Sequence, residues 1–527
     1  MHPAKRGGAA SQRVPVHVEV RLAASARPRS PAAAAARAAA CAAARAAARG
    51  ALAHRSIPYL DGPLGGGAWE DVRAACAAKG ASMEDVRLVD CDTGAPHYGV
   101  TLFCFQTALR LAVYAPIDER EEERVAEQEA QAERDNVFGA GGLFGAGGGS
   151  SSGASAREEL DDGSVEESPG ARGDKAQVLA VERSLPSAQL AELWDSLHYG
   201  GRLKLRLLAH ATSSQALARA GASTVLVRRS GLILLHGPPG SGKSSLAQAL
   251  AQKLAVWHVG AGATSAGAEA TLFELNAAAV MNKFFGESAK SLQKAFERVR
   301  ARLRSLDDMA VVLVDEADAL AISRAHSLSS ADPGDATRVT GALLRELDAL
   351  AELPNALCIA TTNLEGDLDG AFVDRADMSV LVGNPELQAR YGILRSEVLE
   401  IARVGLIRGS PLLLPMAWGA LDTCAATTIV QGASEGGGAA SVDRLTEDEG
   451  EEQRDVSNHL LAVAQECEGA SGRALRRLPL LAHAEARDID SVAIAGWASV
   501  HSLIDSLHRA AQIANERVTG CKRANGV

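Results

Sequence analysis

Short apolar runs alternate with helix-like stretches through residues 178–385. Five of these runs have the length and apolarity of buried strands, and they lie at 232–236, 272–275, 311–314, 357–360 and 379–382. Strands separated by helical connections are typical of a parallel sheet with crossover helices. The pattern therefore predicts an α/β core with a five-stranded parallel sheet, whose carboxyl ends share one edge.

The regions on either side of this core have different patterns. Residues 14–116 contain strand-like runs, and the first of them alternates Val16, Val18 and Val20 with polar residues. This region predicts a small N-terminal α/β domain. Residues 386–515 have mainly helical periodicity and predict a C-terminal helical lid.

Three stretches interrupt these patterns. Residues 21–55 contain almost only Ala, Arg, Ser and Pro, residues 117–175 combine a charge run with Gly, Ser and acids, and residues 431–455 repeat that mixture on a smaller scale. Such compositions favour disordered insertions. The first stretch also mimics an organelle transit peptide, but we prefer an insertion because a strand-like run precedes it. No function is assigned to the three insertions.

Composition limits the class of protein. The chain has 527 residues, which at roughly 150 residues per domain favours about three domains. Its net charge of −11 and its 47% hydrophobic content favour a protein with a buried core and without the broad basic surface of general nucleic-acid binders. No apolar run is long enough to predict a transmembrane helix. The eight cysteines form no CxxC pair, so we expect a reduced, intracellular protein.

A phosphate-binding loop follows the first core strand. Its sequence fits GxxxxGK followed by Ser, and a helix-like stretch comes next. The loop consists of Gly237, Pro238, Pro239, Gly240, Ser241, Gly242, Lys243 and Ser244. Backbone N–H groups of such a loop bind phosphate oxygens, with the helix N-terminus adding its positive end. We expect Lys243 to reach the β- and γ-phosphates of ATP and Ser244 to bind Mg²⁺.

Polar residues end two further core strands. Asp315 and Glu316 follow the run at 311–314, and Asn363 follows the run at 357–360. We expect Asp315 to hold Mg²⁺, Glu316 to act as general base for the attacking water, and Asn363 to orient that water or contact the γ-phosphate. A phosphate loop, an acidic strand end and a polar sensor in this order indicate the AAA+ P-loop fold.

Four longer stretches resemble one family of AAA+ ATPases. They are 193–199 (LWDSLHY), 272–277 (LFELNA), 371–377 (AFVDRAD) and 471–479 (SGRALRRLP), and the opening strand at 16–20 is similar as well. The chain resembles the pachytene checkpoint protein 2 family, also called thyroid receptor-interacting protein 13. The resemblance covers most of 178–515 and, more thinly, 14–116.

The resemblance implies further site residues. Arg375 matches an arginine finger that reaches the nucleotide of a neighbouring subunit, although Met378 stands where many AAA proteins have a second arginine. Arg473 matches a sensor arginine that contacts phosphate from the lid. By the same resemblance, the adenine would lie near Leu197, His198 and Tyr199.

A pore loop is expected at Lys283, Phe284, Phe285 and Gly286, which match the first pore loop of ring-forming AAA unfoldases. Aromatic side chains hold a peptide without requiring a specific sequence, and the glycine lets the loop pivot. The polar stretch at 323–338 is a candidate second pore loop. Both the finger and the pore require neighbouring subunits, so a homohexamer is expected.

The resemblance implies an ATP- and Mg²⁺-dependent remodeller that opens HORMA-domain proteins, directly or through an adaptor, in meiosis and the spindle checkpoint. The expected location is the nucleus and cytoplasm, with chromosome association in meiosis, and neither nucleic acid nor membrane is expected as a partner. Two alternatives remain: a nucleic-acid motor or clamp loader, which predicts basic pore loops, and an ATP-binding scaffold without turnover, which predicts loss of Glu316 or Arg375. No HExxH protease motif occurs.

Overall fold

The computed structural model gives the chain an N-terminal domain, an α/β core and a helical lid. The described residues are 14–24, 31–52, 57–58, 62–63, 67–79, 81–89, 101–102, 107–118, 180–200, 202–223, 226–260, 269–277, 280, 288–321, 333–363, 366, 368–407, 447–486 and 497–524. The predicted insertion at 117–175 lies outside this set apart from its first two residues, and so do the first 16 residues of the predicted insertion at 431–455.

The core contains a six-stranded sheet with the strand order β12-β8-β11-β10-β9-β7. Its strands are β7 (Ala180–Leu185), β8 (Leu232–His236), β9 (Ala270–Asn276), β10 (Met309–Asp315), β11 (Ala356–Thr362) and β12 (Met378–Leu381). The five predicted parallel strands are confirmed. The predicted count of five was wrong, because β7 adds an antiparallel edge strand beside β9. An edge strand is only half covered, so its sequence lacks the continuous apolar run that identifies a central strand.

Helices cover both faces of this sheet. Alternate residues of β8 enter two different clusters: Leu232 and Leu234 pack on one face, whereas Ile233 and Leu235 pack on the other. This two-sided burial explains why the central strands are apolar throughout. The core helices are α3 (Leu193–Ser196), α4 (Leu203–Arg219), α5 (Lys243–Gly260), α6 (Ser288–Arg302), α7 (Pro333–Ala351) and α8 (Gly370–Val373).

The N-terminal domain has a four-stranded sheet with the order β3-β4-β1-β6, and a separate two-stranded sheet pairs β2 with β5. Its elements are β1 (Val14–Leu22), α1 (Pro31–Leu52), β2 (Ile57–Pro58), β3 (Gly62–Pro63), α2 (Gly67–Ala77), β4 (Met83–Val89), β5 (Thr101–Leu102) and β6 (Thr107–Tyr114). The predicted small α/β domain is therefore present. It also contains part of the stretch that the sequence assigned to an insertion.

Helix α1 corrects the interpretation of 21–55 as an insertion. Its side chains Ala44, Ala48 and Leu52 are buried in the same cluster as Val18 and Val20 of β1. Alanine is the best helix former, and its small side chain lets the helix approach the sheet closely. The biased composition therefore belongs to a packed helix, not to a disordered segment.

The N-terminal domain docks on α5, the helix that follows the phosphate loop. Lys253 Nζ lies 2.6 Å from Glu19 Oε1, and both side chains are almost completely buried. Beside this pair the rings of His17 and Trp257 meet edge to face, with 4.8 Å between their centroids. The contact connects the N-terminal sheet to the helix that carries Lys243.

The lid is a helical bundle, as predicted. Its helices are α9 (Leu387–Arg403), α10 (Glu447–Glu466), α11 (Gly472–Leu475), α12 (Leu478–Ala486) and α13 (Val500–Ala524). They bury a cluster that includes Leu394, Leu460, Trp497 and Leu507. The last nine residues of the predicted insertion at 431–455 lie in α10, so that prediction was wrong for this part. Among the helices that the structure describes, none is long and apolar enough to cross a membrane.

Candidate nucleotide-binding site

The phosphate loop connects β8 to α5 and requires glycine at two crowded positions. Gly237 has φ of 145°, and a Cβ atom there would lie 2.3 Å from the carbonyl oxygen of Val382. Gly242 has φ of 91°, and its Cβ would lie 2.8 Å from the hydroxyl of Tyr199. Both conformations and both approaches exclude a side chain. The loop therefore has the tight geometry that its sequence predicts.

Lys243 points into the loop that precedes it. Its Nζ donates hydrogen bonds to the carbonyl oxygens of Gly237 at 2.8 Å and Pro238 at 3.0 Å, and to Oδ1 of Asn363 at 2.8 Å. Burial lowers the pKa of its amino group, although Asp315 opposes that shift. The structure thus brings the loop lysine and the predicted sensor together.

Ser244 and Asp315, the two predicted magnesium ligands, are adjacent. The Ser244 hydroxyl donates to Oδ1 of Asp315 at 2.6 Å, and the Thr361 hydroxyl donates to the same oxygen at 2.5 Å. Hydroxyl and carboxylate oxygens are the donors that Mg²⁺ prefers, so this pair fits the ion. Thr361 was not identified from the sequence, where it is one of two threonines that end an otherwise apolar strand.

Glu316 follows Asp315 in a left-handed backbone conformation, with φ of 55° and ψ of 50°. No other non-glycine residue in the described ranges has positive φ. The conformation is strained for a residue with a side chain, and strain of this kind is concentrated at functional sites. The Glu316 N–H donates to the Thr361 hydroxyl at 3.2 Å. Thr361 therefore connects both acids to the strand that leads to Asn363.

A cavity of about 310 Å³ lies between the phosphate loop, residues 196–199 and the lid. Leu197, His198 and Tyr199 all line it, as expected for an adenine-binding segment. The Tyr199 hydroxyl donates to the carbonyl oxygen of Gly242 at 3.2 Å. Burial lowers the pKa of His198 to about 4, so its ring is neutral at pH 7, and Nε2 is buried without a hydrogen-bond partner. The cavity is large enough, and polar enough at this point, to receive a nucleotide base.

The lid touches the phosphate loop directly. The Arg473 N–H donates to the carbonyl oxygen of Gly240 at 3.1 Å, and the Ser471 hydroxyl accepts from the Ala474 N–H at 3.2 Å as cap of α11. A Cβ atom on Gly240 would lie 3.0 Å from the Ser471 hydroxyl. Arg473 also lines the cavity, as the sequence predicts for a lid sensor.

The sequence did not identify Arg476 and Arg477, which line the same cavity. Arg476 donates to the carbonyl oxygen of Ser196 at 2.7 Å. The sequence signal that could have identified them is their spacing, because they follow Arg473 by about one helical turn.

Arg375 does not line this cavity. Its guanidinium forms an ion pair with Asp348 on α7 and donates to the carbonyl oxygen of Ala371. The pore-loop residues Lys283, Phe284, Phe285 and Gly286 lie outside the described residues, as does most of the candidate second pore loop at 323–338. The structure therefore brings the predicted nucleotide-binding residues together and places the finger candidate elsewhere.

Comparison with known proteins agrees with this geometry. Residues 233–384 match the model for the ATPase family associated with various cellular activities, and residues 386–512 match the TRIP13-like AAA+ ATPase lid C-terminal domain. The pachytene checkpoint protein 2 homolog of Oryza sativa subsp. indica is 35% identical over 65% of this chain and 69% of its own length. The homolog of Arabidopsis thaliana is 38% identical over 58% and 61%. The solved structure of C. elegans PCH-2 has the same fold, with a TM-score of 0.57 and 20% identity over 96% of this chain and 100% of that chain.

Proposed function

Because this chain belongs to the pachytene checkpoint protein 2 family of AAA+ ATPases, we propose that its ATPase activity drives the opening of HORMA-domain proteins by a homohexameric ring. The observation that carries the proposal is the contact between lid and phosphate loop, 3.1 Å from Arg473 N to Gly240 O. A nucleotide bound at this joint touches two separate bodies. Loss of its γ-phosphate then changes the contacts of both, and the lid moves relative to the core.

The proposed chemistry assigns one task to each residue near the phosphates. Lys243 exchanges its contacts with loop carbonyls for the β- and γ-phosphates, and Asn363 holds the attacking water. Glu316 accepts the proton of that water as the water oxygen bonds to the γ-phosphorus, while the bond from that phosphorus to the β–γ bridging oxygen breaks and ADP leaves. Ser244 and Asp315 would hold Mg²⁺, which neutralises phosphate charge when bound.

The proposed mechanical step needs neighbouring subunits. Arg375 stabilises the charge on the γ-phosphate bound by the next subunit. Arg473 contacts the γ-phosphate in the cavity of its own subunit, and the loss of that phosphate moves the lid. Phe284 and Phe285 pull a terminal segment of the substrate through the ring. The N-terminal domain, which docks on α5 through Lys253 and other contacts, presents the substrate or its adaptor.

Family membership supports the substrate class and the biological setting of the proposal. We place the activity in meiotic chromosome-axis control and the spindle checkpoint, in the nucleus and cytoplasm. The alternative of a nucleic-acid motor has less support, because the candidate pore loop contains Phe284 and Phe285 and only one basic residue, Lys283.

The test is capture of substrate by the Glu316→Gln variant in the presence of ATP. The amide cannot accept the proton, so we expect ATP binding to be retained, hydrolysis to fall by at least about 100-fold, and HORMA-domain proteins to stay bound. Glu352→Gln is the matched control, because that residue is exposed and lies away from the cavity. Recovery of nucleic acid instead of HORMA proteins would reverse the choice of substrate, and undiminished hydrolysis would remove Glu316 as the base.

A further inference from the structure

We propose that Asp348 positions the guanidinium of Arg375 for catalysis in the neighbouring subunit, an inference that rests on the proposed role of Arg375 as the finger. Arg375 Nε lies 2.8 Å from Oδ1 of Asp348, and Nη2 lies 2.9 Å from Oδ2. Two parallel bonds between a guanidinium and a carboxylate fix its plane as well as its position. No residue in the sequence motifs predicts this partner, since Asp348 precedes Arg375 by 27 positions.

The ion pair leaves part of the Arg375 guanidinium free to donate further hydrogen bonds. A guanidinium has five N–H groups, and here one on Nε, one on Nη2 and one on Nη1 are used by Asp348 and by the carbonyl oxygen of Ala371, the last at 2.8 Å. One N–H is left on each terminal nitrogen. These two donors remain available to phosphate oxygens. The ion pair therefore orients the arginine without consuming the donors that a phosphate needs.

Asp348 lies on a helix that is packed firmly against the core. Asp348 lies near the end of α7, whose residues Leu343, Leu347 and Leu350 are buried in the core cluster. A second bond fixes the same helix, because Arg300 Nη1 donates to Oε2 of Glu346 at 2.6 Å. A carboxylate anchored in this way holds the flexible arginine in one orientation before a neighbour arrives, which lowers the entropy lost on reaching the transition state.

The ion pair between Asp348 and Arg375 contributes little to folding stability. The Asp348 side chain is 58% exposed, and ion pairs at such exposure contribute little to stability. The same geometry admits an opposite role, in which Asp348 withholds the arginine from the neighbouring site. Removal of the carboxylate distinguishes these two roles. ATP hydrolysis falls if Asp348 positions Arg375, and it rises if Asp348 withholds Arg375.

The experiment compares steady-state ATP hydrolysis by assembled rings of the full chain carrying Asp348→Ala, Asp348→Asn, Asp348→Glu, Arg375→Ala, and Asp348→Ala with Arg375→Ala. We expect Asp348→Ala to lower kcat by about tenfold with KM changed by less than about twofold, because a misplaced finger affects the transition state and not ATP binding. Asp348→Glu should recover most of kcat. The double variant should be no slower than Arg375→Ala, because Asp348 acts only through the arginine.

Each other outcome overturns the inference. If Arg375→Ala loses activity while Asp348→Ala keeps or gains activity, the positioning role of Asp348 is refuted, whereas the role of Arg375 as the finger is supported. If Arg375→Ala keeps full activity, Arg375 is not the finger, and the positioning role of Asp348 is refuted as well. Size-exclusion chromatography and thermal unfolding are measured for every variant, with Glu352→Ala as control on the same side of the core. A loss of kcat that follows loss of the ring or of the fold in both Asp348→Ala and Asp348→Asn also refutes positioning. The isosteric Asp348→Asn gives the answer if Asp348→Ala does not fold.

Discussion

The amino group of Lys243 lies 2.8 Å from the side-chain oxygen of Asn363, although the two residues are 120 positions apart. The contact exists because β8 and β11 are neighbouring parallel strands, and both residues follow the carboxyl ends of these strands. It places the proposed sensor within reach of the amino group that we propose to bind the γ-phosphate. A change at Asn363 should therefore act on the lysine as well as on the attacking water.

Two substitutions of Asn363 are expected to differ in effect. Asn363→Ala should lower kcat by about 10- to 100-fold and leave ATP affinity nearly unchanged, because the water loses its acceptor while Lys243 can still exchange its loop carbonyls for the phosphates. Asn363→Asp should also weaken ATP binding, since a carboxylate competes with phosphate for the ammonium group. Binding of a fluorescent ATP analogue and steady-state hydrolysis measure the two effects. Equal affinities in the two variants would contradict the competition.

The hydroxyl of Thr361 should be required for hydrolysis. It donates to Asp315 and accepts from the Glu316 N–H, so Thr361→Val removes both bonds with little change of volume. We expect kcat to fall by at least about tenfold and the free energy of unfolding to fall by about 1 kcal/mol, because the part-buried Glu316 N–H and the Asp315 carboxylate each lose a hydrogen bond. Thr361→Ser keeps the hydroxyl and is the matched control. Wild-type kcat in Thr361→Val would refute the requirement.

Local pattern was sufficient to predict the phosphate loop, Asp315 and Asn363, because each follows an apolar strand in sequence. The role of Thr361 depends on the register of β10 and β11, which pairs Val314 with Ala360 and is not visible in either strand alone. The same limit applies to the sixth strand, β7, whose mixed sequence becomes a strand only beside β9.

Composition misled the interpretation of α1. An Ala/Arg-rich tract can be a disordered insertion or a helix, and only a surface that buries Ala44 and Ala48 decides between them. That surface is formed by β1 and its neighbours. The sequence also did not identify Asp348 as the partner of Arg375, because their contact depends on where α7 lies against the core.

The buried ion pair between Glu19 and Lys253 should fix the N-terminal domain on the core. Lys253→Met leaves the Glu19 carboxylate buried without its cation, and we expect the free energy of unfolding to fall by about 3–5 kcal/mol. Adding Glu19→Leu removes the buried negative charge and should restore most of the lost unfolding free energy. Denaturant unfolding of the two variants measures both values. A double variant no more stable than Lys253→Met would show that packing, and not the charge, determines the effect.

The lid contains a buried carboxyl group that should make its stability depend on pH. Both oxygens of Glu397 are buried without a hydrogen-bond partner. Burial raises the pKa of this group to about 8, although Arg476 on the cavity wall opposes the shift. The group is therefore mainly neutral at pH 7 in the folded chain and ionised in the unfolded one.

Because the folded pKa of Glu397 is above its unfolded value of 4.5, the unfolded state releases the proton first as pH rises. The wild-type chain should lose stability from this group between about pH 5 and pH 8, by up to about 1.4 kcal/mol per pH unit, and no further above that range. Glu397→Gln cannot ionise, so the unfolding free energy of wild type minus that of the variant should fall as pH rises across this interval. Denaturant unfolding at pH 5.5, 7 and 8.5 measures it, with the exposed Glu468→Gln as control in the same lid. A difference that stays constant with pH would show that the Glu397 carboxyl titrates normally.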